Sequence, residues 1–174
     1  MDTPASNGAM QRFKTRLGLV NFGQEGKVTR KVERSILLNA TVEKVFRYLD
    51  DPTHKPEFVP GIVEVTDVVG QVLGKTYRWS YKMMGLRFRG KSKYTEYVPN
   101  QRVVHESKGG IHSIWTWTFG PEDGGTRVNL AVEYDVPVPV LGEVAGQLVL
   151  RQNDREADLG MANLKARLEN QEAG

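Results

Sequence analysis

A proline-free stretch near the C-terminus, from about Val140 to Glu169, constrains the fold of this chain most strongly. Its apolar residues recur at the spacing of one helical face: Leu150, Ala157, Met161, Leu164 and Leu168. Charged residues between them mark the solvated side of the same helix: Arg151, Arg155, Glu156, Lys165 and Arg167. At 1.5 Å per residue such a helix spans roughly 45 Å, which is more than a small flat sheet needs as cover. We therefore expect the preceding chain to form a curved sheet that holds this helix.

The length and composition of the chain favour one ordinary globular domain. A chain of 174 residues has room for one core. The absence of cysteine excludes disulfides and thiolate chemistry. No apolar run approaches the ~20 residues of a membrane span, and Gly18 and Asn21 interrupt the only short apolar run near the N-terminus. We expect a cytoplasmic protein with a loosely ordered tail over residues 1–27 and a single domain over residues 28–170.

The order of elements along the domain is readable from periodicity and turn signals. Alternation over Val28–Leu38 predicts a strand, and apolar spacing over Val42–Leu49 predicts a helix that Asp50-Asp51-Pro52 ends. A second short helix or turn is predicted over Thr53–Phe58. Six further strands follow, roughly at Val63–Val69, Thr76–Met83, Arg87–Val98, Arg102–Ser107, Ser113–Phe119 and Thr126–Val136. Because the breaks between them are short, neighbouring strands are predicted to be antiparallel, in an α+β fold.

Several of these segments, in this order, carry a family resemblance. They are Ile36–Phe46, Asp50–Pro52, Phe58–Gly61, Trp115–Pro121 and Gly124–Val128. Together with the closing long helix, they resemble the polyketide cyclase/dehydrase branch of the START and birch-pollen-allergen-like superfamily, also called SRPBCC. The resemblance extends over about residues 28–170.

This resemblance implies a helix-grip fold and a ligand cavity. In that fold a strongly bent, seven-stranded antiparallel sheet wraps around the C-terminal helix, with two short helices after the first strand. An apolar small molecule binds between sheet and helix. Members of the superfamily include lipid carriers, binders of plant hormones and secondary metabolites, coenzyme-Q-binding proteins and aromatase/cyclases. They share no universal catalytic motif, so the function has to be argued from the site itself.

Strand alternation and helix periodicity predict which side chains face that cavity. The predicted ligand-binding residues are Trp79, Tyr81, Met83, Phe88, Tyr94, His105, Trp115, Trp117, Tyr134, Leu150, Asn153, Ala157 and Met161. Their aromatic character suits a flat or greasy ligand, although the same side chains could simply fill the core. By the same alternation Glu96 faces inward, or else it is exposed, because it is near the end of its strand.

The polar side chains on these inward faces are the candidates for chemistry. His105, Tyr81 and Asp154 are the candidate acid–base residues, because each could hold or move a proton beside a bound ligand. Asn153 and Asp154 interrupt the apolar stripe of the long helix. One of them either anchors a ligand or pairs with Tyr81, Tyr94 or His105, or else both are solvated. For His105 the plainer alternative is a histidine hydrogen-bonded within the core.

The three histidines do not predict a metal site. His54, His105 and His112 lack the spacing of metal ligands, and no cluster of Asp or Glu completes a set. We expect His112 at the rim of the cavity and His54 in a loop near its opening. No metal and no cofactor is predicted.

A strip of basic residues lies on the opposite face of the third and fourth strands. Its six members are Arg78, Lys82, Arg87, Arg89, Lys91 and Lys93. With Lys75 they account for the net positive charge, since acidic residues outnumber basic ones in the rest of the chain. The strip suits a weak, salt-sensitive contact with an anionic membrane, or else a solvated face that guards against edge pairing. Nucleic acid is not a predicted partner, because the aromatic side chains face the other way.

Three functions remain open from the sequence. The first is a binding or carrier protein for a hydrophobic, aromatic, polyketide-like or lipid-like small molecule. The second is a polyketide aromatase/cyclase or dehydratase that uses the same cavity. The third is a lipid or quinone carrier that contacts membranes through the basic strip.

Overall fold

The computed structural model describes residues 28–83, 85–136 and 138–170, with side chains described at 29–83, 85–135 and 154–170. The elements are β1 Val28–Leu38, α1 Val42–Asp50, a 3-10 helix Pro52–His54, α2 Lys55–Phe58, β2 Ile62–Val69, β3 Thr76–Met83, β4 Leu86–Val98, β5 Arg102–Gly109, β6 Ser113–Glu122, β7 Gly125–Val136 and α3 Val138–Asn170. The predicted tail over residues 1–27 lies outside the described residues.

All seven strands form one antiparallel sheet in the order β1-β7-β6-β5-β4-β3-β2. Strands β2 to β7 follow one another as hairpins, because each connection between them is short. Between β6 and β7, Asp123 and Gly124 both have positive φ, as a two-residue hairpin turn requires. The connection from β1 to β2 instead crosses the sheet and carries α1 and α2. The predicted helix-grip fold of the α+β class is confirmed.

The long helix α3 begins two residues earlier than predicted and runs from Val138 to Asn170. Its C-terminal half buries Met161, Leu164 and Leu168 in the core, as the apolar spacing predicted. It packs against β1 and α2. The Nζ of Lys44 donates to the last turn at the carbonyl oxygen of Leu168, which satisfies a carbonyl that has no partner within the helix.

A bulge in the pairing of β4 with β5 corrects one predicted orientation. The register shifts between Tyr94 and Glu96, so the alternation of faces is interrupted there. Of the two orientations predicted for Glu96, the inward one is wrong and the exposed one holds. Its carboxylate accepts a hydrogen bond from Nε of Arg102 at 2.9 Å in a partly exposed ion pair. Tyr97 packs against the core instead, edge to face with Phe46.

Candidate functional site

A cavity of about 160 Å³ lies between the sheet, α2 and α3. Nine of the thirteen predicted ligand-binding residues line it: Trp79, Tyr81, Met83, His105, Trp115, Trp117, Tyr134, Ala157 and Met161. Strands β3 and β6 supply five of these nine, because inward-facing positions recur every second residue along each strand. The walls are thus mostly aromatic and apolar, with a few polar groups between the rings.

Of the four remaining predicted ligand-binding residues, two do not line the cavity and two have side chains outside the described residues. Phe88 and Tyr94 are both buried in the core. The hydroxyl of Tyr94 donates to the carbonyl oxygen of Asp50 at 3.2 Å, which directs it away from the cavity. The side chains of Leu150 and Asn153 lie outside the described residues. For Phe88 and Tyr94 the core-filling alternative therefore applies.

Tyr81 and Glu156 form a short hydrogen bond in the cavity wall. The Tyr81 hydroxyl donates to Oε2 of Glu156 at 2.6 Å. Burial first, and then this hydrogen bond, raise the pKa of Tyr81, so its phenol stays protonated at physiological pH. Glu156 was predicted to mark the solvated side of α3, and that prediction is wrong. Because α3 lies in a concave sheet, side chains on both sides of its apolar stripe also face the interior of the protein.

Asp154 occupies a different place from the one predicted. Its Oδ1 accepts from an Nη atom of Arg34 at 3.2 Å, and Nε of Arg34 contacts Asp158 at 2.5 Å. The Asp154 side chain is 49% exposed and is absent from the cavity wall. For Asp154, the alternative of a pairing with Tyr81, Tyr94 or His105 therefore does not hold; the side chain of Asn153 lies outside the described residues. The guanidinium of Arg34, on β1, instead forms a hydrogen bond and an ion pair with this carboxylate of α3.

His105 lies in the cavity wall and is 2% exposed. Its ring stacks between Tyr94 and Trp115, with centroids 5.6 and 5.8 Å away. Burial, followed by the nearby ammonium of Lys55, holds the pKa of His105 well below its usual value, so the imidazole is neutral. Nδ1 of this ring has no hydrogen-bond partner among the described residues. The alternative of a histidine fully hydrogen-bonded within the core thus does not hold for Nδ1.

The other two histidines are structural. Nδ1 of His54 lies 2.9 Å from the carbonyl oxygen of Tyr48, and the two rings stack. His112 bridges Glu106 and Asp135 at 3.1 and 3.2 Å. Neither ring is in the cavity wall. Within residues 28–170 as described, no three His, Asp or Glu side chains group closely enough to hold a metal ion.

Lys55 is a candidate site residue that the sequence did not predict. It is the first residue of the four-residue helix α2, is 5% exposed, and lines the cavity. Its Nζ lies over two rings, 5.1 Å from the centroid of Trp115 and 5.8 Å from that of Tyr77. Burial lowers the pKa of Lys55 from 10.5 to about 7. One signal was available in the sequence: Lys55 stands between Pro52 and Phe58, where a short helix was predicted.

The model of the family described as polyketide cyclase/dehydrase and lipid transport matches residues 29–169. The chain belongs to this family. Members of this family bind or act on hydrophobic small molecules. Membership therefore supports a role of this general kind for the chain, without identifying a specific ligand. A search among curated protein sequences finds no match.

Solved structures with the same fold include two aromatase/cyclases. The di-domain aromatase/cyclase StfQ of the steffimycin biosynthetic pathway shares 16% identity at a TM-score of 0.66, covering 84% of this chain and 52% of its own. The Zhui aromatase/cyclase from Streptomyces sp. R1128 shares 16% sequence identity at a TM-score of 0.63, and the match covers 81% of this chain and 94% of that protein. A protein from Thermus thermophilus shares 24% sequence identity at a TM-score of 0.69, and the match covers 80% of this chain and 97% of that protein. At these identities the likeness establishes the fold.

The basic strip of this family member is exposed, on the face of β3 and β4 opposite the cavity. Cross-strand pairing places Arg78 beside Lys91 and Lys82 beside Arg87. Nε of Arg78 lies 3.2 Å from a carboxylate oxygen of Asp67. The membrane contact predicted for this strip stays a prediction. None of the described helices is long and apolar enough to cross a membrane.

Proposed function

We propose that the protein binds a flat, hydrophobic small molecule, with a ring system of about two fused rings inside the cavity. The observation that carries this proposal is the aromatic wall built by Trp79, Trp115 and Trp117 around an open space. Aromatic pairs favour offset stacking or edge-to-face contact, so such a wall favours an aromatic guest over a flexible saturated chain. The family description, which covers cyclases, dehydrases and lipid transport, supports a hydrophobic small molecule in general.

The size of the cavity agrees with a ligand of this size. When the volume of a cavity is measured over the positions that the centre of a water can occupy, roughly 10–15 Å³ holds one water molecule. The cavity of about 160 Å³ therefore holds on the order of ten waters, or a similar number of ligand heavy atoms. A naphthalene-like ring system has this size. Longer ligands would extend past the cavity towards solvent.

Filling the cavity should weaken ligand binding. Replacing Ala157, which lines the cavity from α3, by Phe is expected to weaken the binding of 2-methylnaphthalene by at least about tenfold, because the new ring takes the ligand's volume. Quenching of tryptophan fluorescence from Trp115 and Trp117 measures the affinity.

The matched control is Ala162→Phe, which makes the same change at an exposed position on the same helix. Its affinity for 2-methylnaphthalene should equal that of the parent protein. Equal binding by Ala157→Phe and the parent would place the ligand elsewhere. Mass spectrometry of the freshly purified protein under native conditions complements the titration, since a co-purified aromatic compound would define the ligand class directly.

A second candidate function is a polyketide cyclase or dehydratase, favoured by the Tyr81–Glu156 pair and His105 in one cavity wall. When its hydroxyl turns from Glu156 to the ligand, the protonated phenol of Tyr81 can donate its one hydrogen bond to a carbonyl whose oxygen gains negative charge in enolisation. Neutral His105 can accept a proton from the adjacent carbon. Such a pair suits aldol cyclisation and the loss of water from a β-hydroxy ketone, because both reactions pass through an enolate.

For this second function, Tyr81→Phe should lower turnover by about 10² or more, since a positioned general acid contributes at least that much. The affinity for 2-methylnaphthalene should stay within about threefold, because the ring is kept. The assay follows water loss from an aromatic β-hydroxy ketone by mass spectrometry. Tyr77→Phe removes another hydroxyl from the same wall and serves as the control. Undiminished turnover in Tyr81→Phe would exclude Tyr81 as the proton donor.

A further inference from the structure

Two lysines are buried in this protein, and their surroundings differ. Nζ of Lys75 donates to the side chain of Asp50 at 2.7 Å and to its carbonyl oxygen at 2.8 Å. Nζ of Lys55 has no hydrogen-bond or ion-pair partner among the described residues, and it lies over the ring faces of Tyr77 and Trp115. Burying an ammonium without an anion destabilises the folded state, so the stability of the fold does not explain why a lysine is present at position 55.

The neighbours of Lys55 form a closed group of rings within the cavity wall. His105 contacts both rings that flank the amine, with centroids 6.0 Å from Tyr77 and 5.8 Å from Trp115. The amine and the imidazole therefore share one pocket of the cavity. The hydroxyls of Ser92 and Ser107, 2.6 Å apart, line the same cavity. A ligand that fills the cavity meets a primary amine, a neutral imidazole and hydroxyl groups together.

We propose that Lys55 is a nucleophilic amine that forms an imine with a carbonyl group of the bound ligand. The ligand class is thereby narrowed to aromatic or polyketide-like aldehydes and ketones. This inference rests on the proposed function, because the ring system has to enter the cavity before its carbonyl reaches Lys55.

The reaction needs no other reactant. The lone pair of Nζ attacks the carbonyl carbon, a C–N bond forms, and the π electrons of the carbonyl move to its oxygen. A proton passes from nitrogen to oxygen, which gives a neutral carbinolamine. The hydroxyl then takes a second proton and leaves as water while the C=N bond forms. Both amine hydrogens thus leave with the carbonyl oxygen as one molecule of water.

Three features of the site favour this chemistry. Burial lowers the pKa of Lys55 to about 7, so a large fraction of the amine is neutral and nucleophilic at physiological pH. The neutral imidazole of His105 carries one protonated and one unprotonated nitrogen, which suits the relay of a proton between nitrogen and oxygen. The apolar walls contain few groups that hold water, and an imine hydrolyses more slowly where water is scarce.

The test uses the full chain and two matched probes at neutral pH. The probes are 2-naphthaldehyde, which can form an imine, and 2-methylnaphthalene, which cannot. Sodium borohydride reduces any imine to a stable secondary amine, and peptide mapping by mass spectrometry locates it. We expect one adduct, on Lys55, formed at least about tenfold faster than on any exposed lysine, whose ordinary pKa leaves little neutral amine. Lys75→Arg should keep the adduct, because Lys75 is held by Asp50.

Two variants and the second probe separate the possible failures. Lys55→Arg and Lys55→Met should both lose the adduct, and Lys55→Met should still bind 2-methylnaphthalene. If 2-methylnaphthalene binds but the aldehyde labels Lys55 no faster than the exposed lysines, the imine is excluded while the proposed function stands. If neither probe binds the parent protein, the proposed function fails as well. A labelled Lys55 with binding of both probes supports both.

Discussion

Replacing Lys55 by Met is expected to stabilise the folded protein by roughly 4 kcal/mol at pH 7. Lys55 is buried in the cavity wall, and burial lowers its pKa from 10.5 to about 7. By linkage, this difference is the free energy that the folded state loses by disfavouring the charged amine. Met has a similar length and no charge, so it removes this penalty without leaving a void. Urea denaturation followed by circular dichroism measures the change in the free energy of unfolding.

The pH dependence of stability provides a second test of the Lys55→Met variant. Between about pH 7 and pH 10.5 the unfolded chain still binds a proton at Lys55, while the folded protein has lost it. Because the unfolded state then binds more protons, Lys55 makes stability increase with pH across this window. Below about pH 7 its unfavourable contribution is full and constant. Lys55→Met should therefore gain most below pH 7, and its advantage should vanish near pH 10.5.

Comparison with the parent protein removes the contributions of other titrating groups. The buried tyrosines, including Tyr77 and Tyr81, have raised pKa values and affect both proteins equally at high pH. Lys91→Met changes an exposed lysine on the basic strip and should leave stability within about 0.5 kcal/mol. A Lys55→Met variant that is less stable than the parent at pH 7 would show that the amine is paired in solution. Stabilisation would instead agree with a residue retained for ligand chemistry.

The fold of this protein could be predicted because its signals are local and repeated. Alternating side chains define β3 and β6, and the turn at Asp123-Gly124 defines the hairpin that joins β6 to β7. The spacing of Met161, Leu164 and Leu168 identifies the buried face of α3. Each of these features depends on residues close together in the sequence, so the period of the pattern determines the structure. The aromatic part of the cavity wall follows directly from the same alternation.

The positions of Tyr81 and His105 follow from strand alternation, but the other polar side chains of the site could not be predicted, because their positions depend on docking between distant elements. Lys55 lies on a four-residue helix, which is too short for any period to define its inner face. Glu156, on α3, lines the cavity and accepts a hydrogen bond from Tyr81 on β3, a contact that the sequence spacing does not predict. Asp154 was assigned to the cavity, but Arg34 on β1 takes it instead. Glu96 was misplaced by a bulge, which shifts the alternation by one residue without a change in composition.

The second large effect is expected at the paired buried lysine. Replacing Asp50 by Ala should destabilise the protein by roughly 3–5 kcal/mol, because it leaves the ammonium of Lys75 buried without its anion. The two side chains are only 21% and 6% exposed, and their charged atoms lie 2.7 Å apart. The hydroxyl of Tyr97 also donates to Asp50, at 3.1 Å, and loses its partner in the variant. Urea denaturation again measures the loss.

A double-mutant cycle with Lys75→Met tests whether the loss comes from the pair. Once Lys75 is Met, removing Asp50 no longer strands a buried charge, so the double variant should be more stable than the sum of the two single losses implies. We expect a coupling of about 2 kcal/mol or more, which is within the range for residues in direct contact. Additive losses would mean that Asp50 acts through its bond to Tyr97 or through α1 itself. With coupling at Lys75 and a gain at Lys55, the presence or absence of a carboxylate would account for the opposite roles of the two buried lysines.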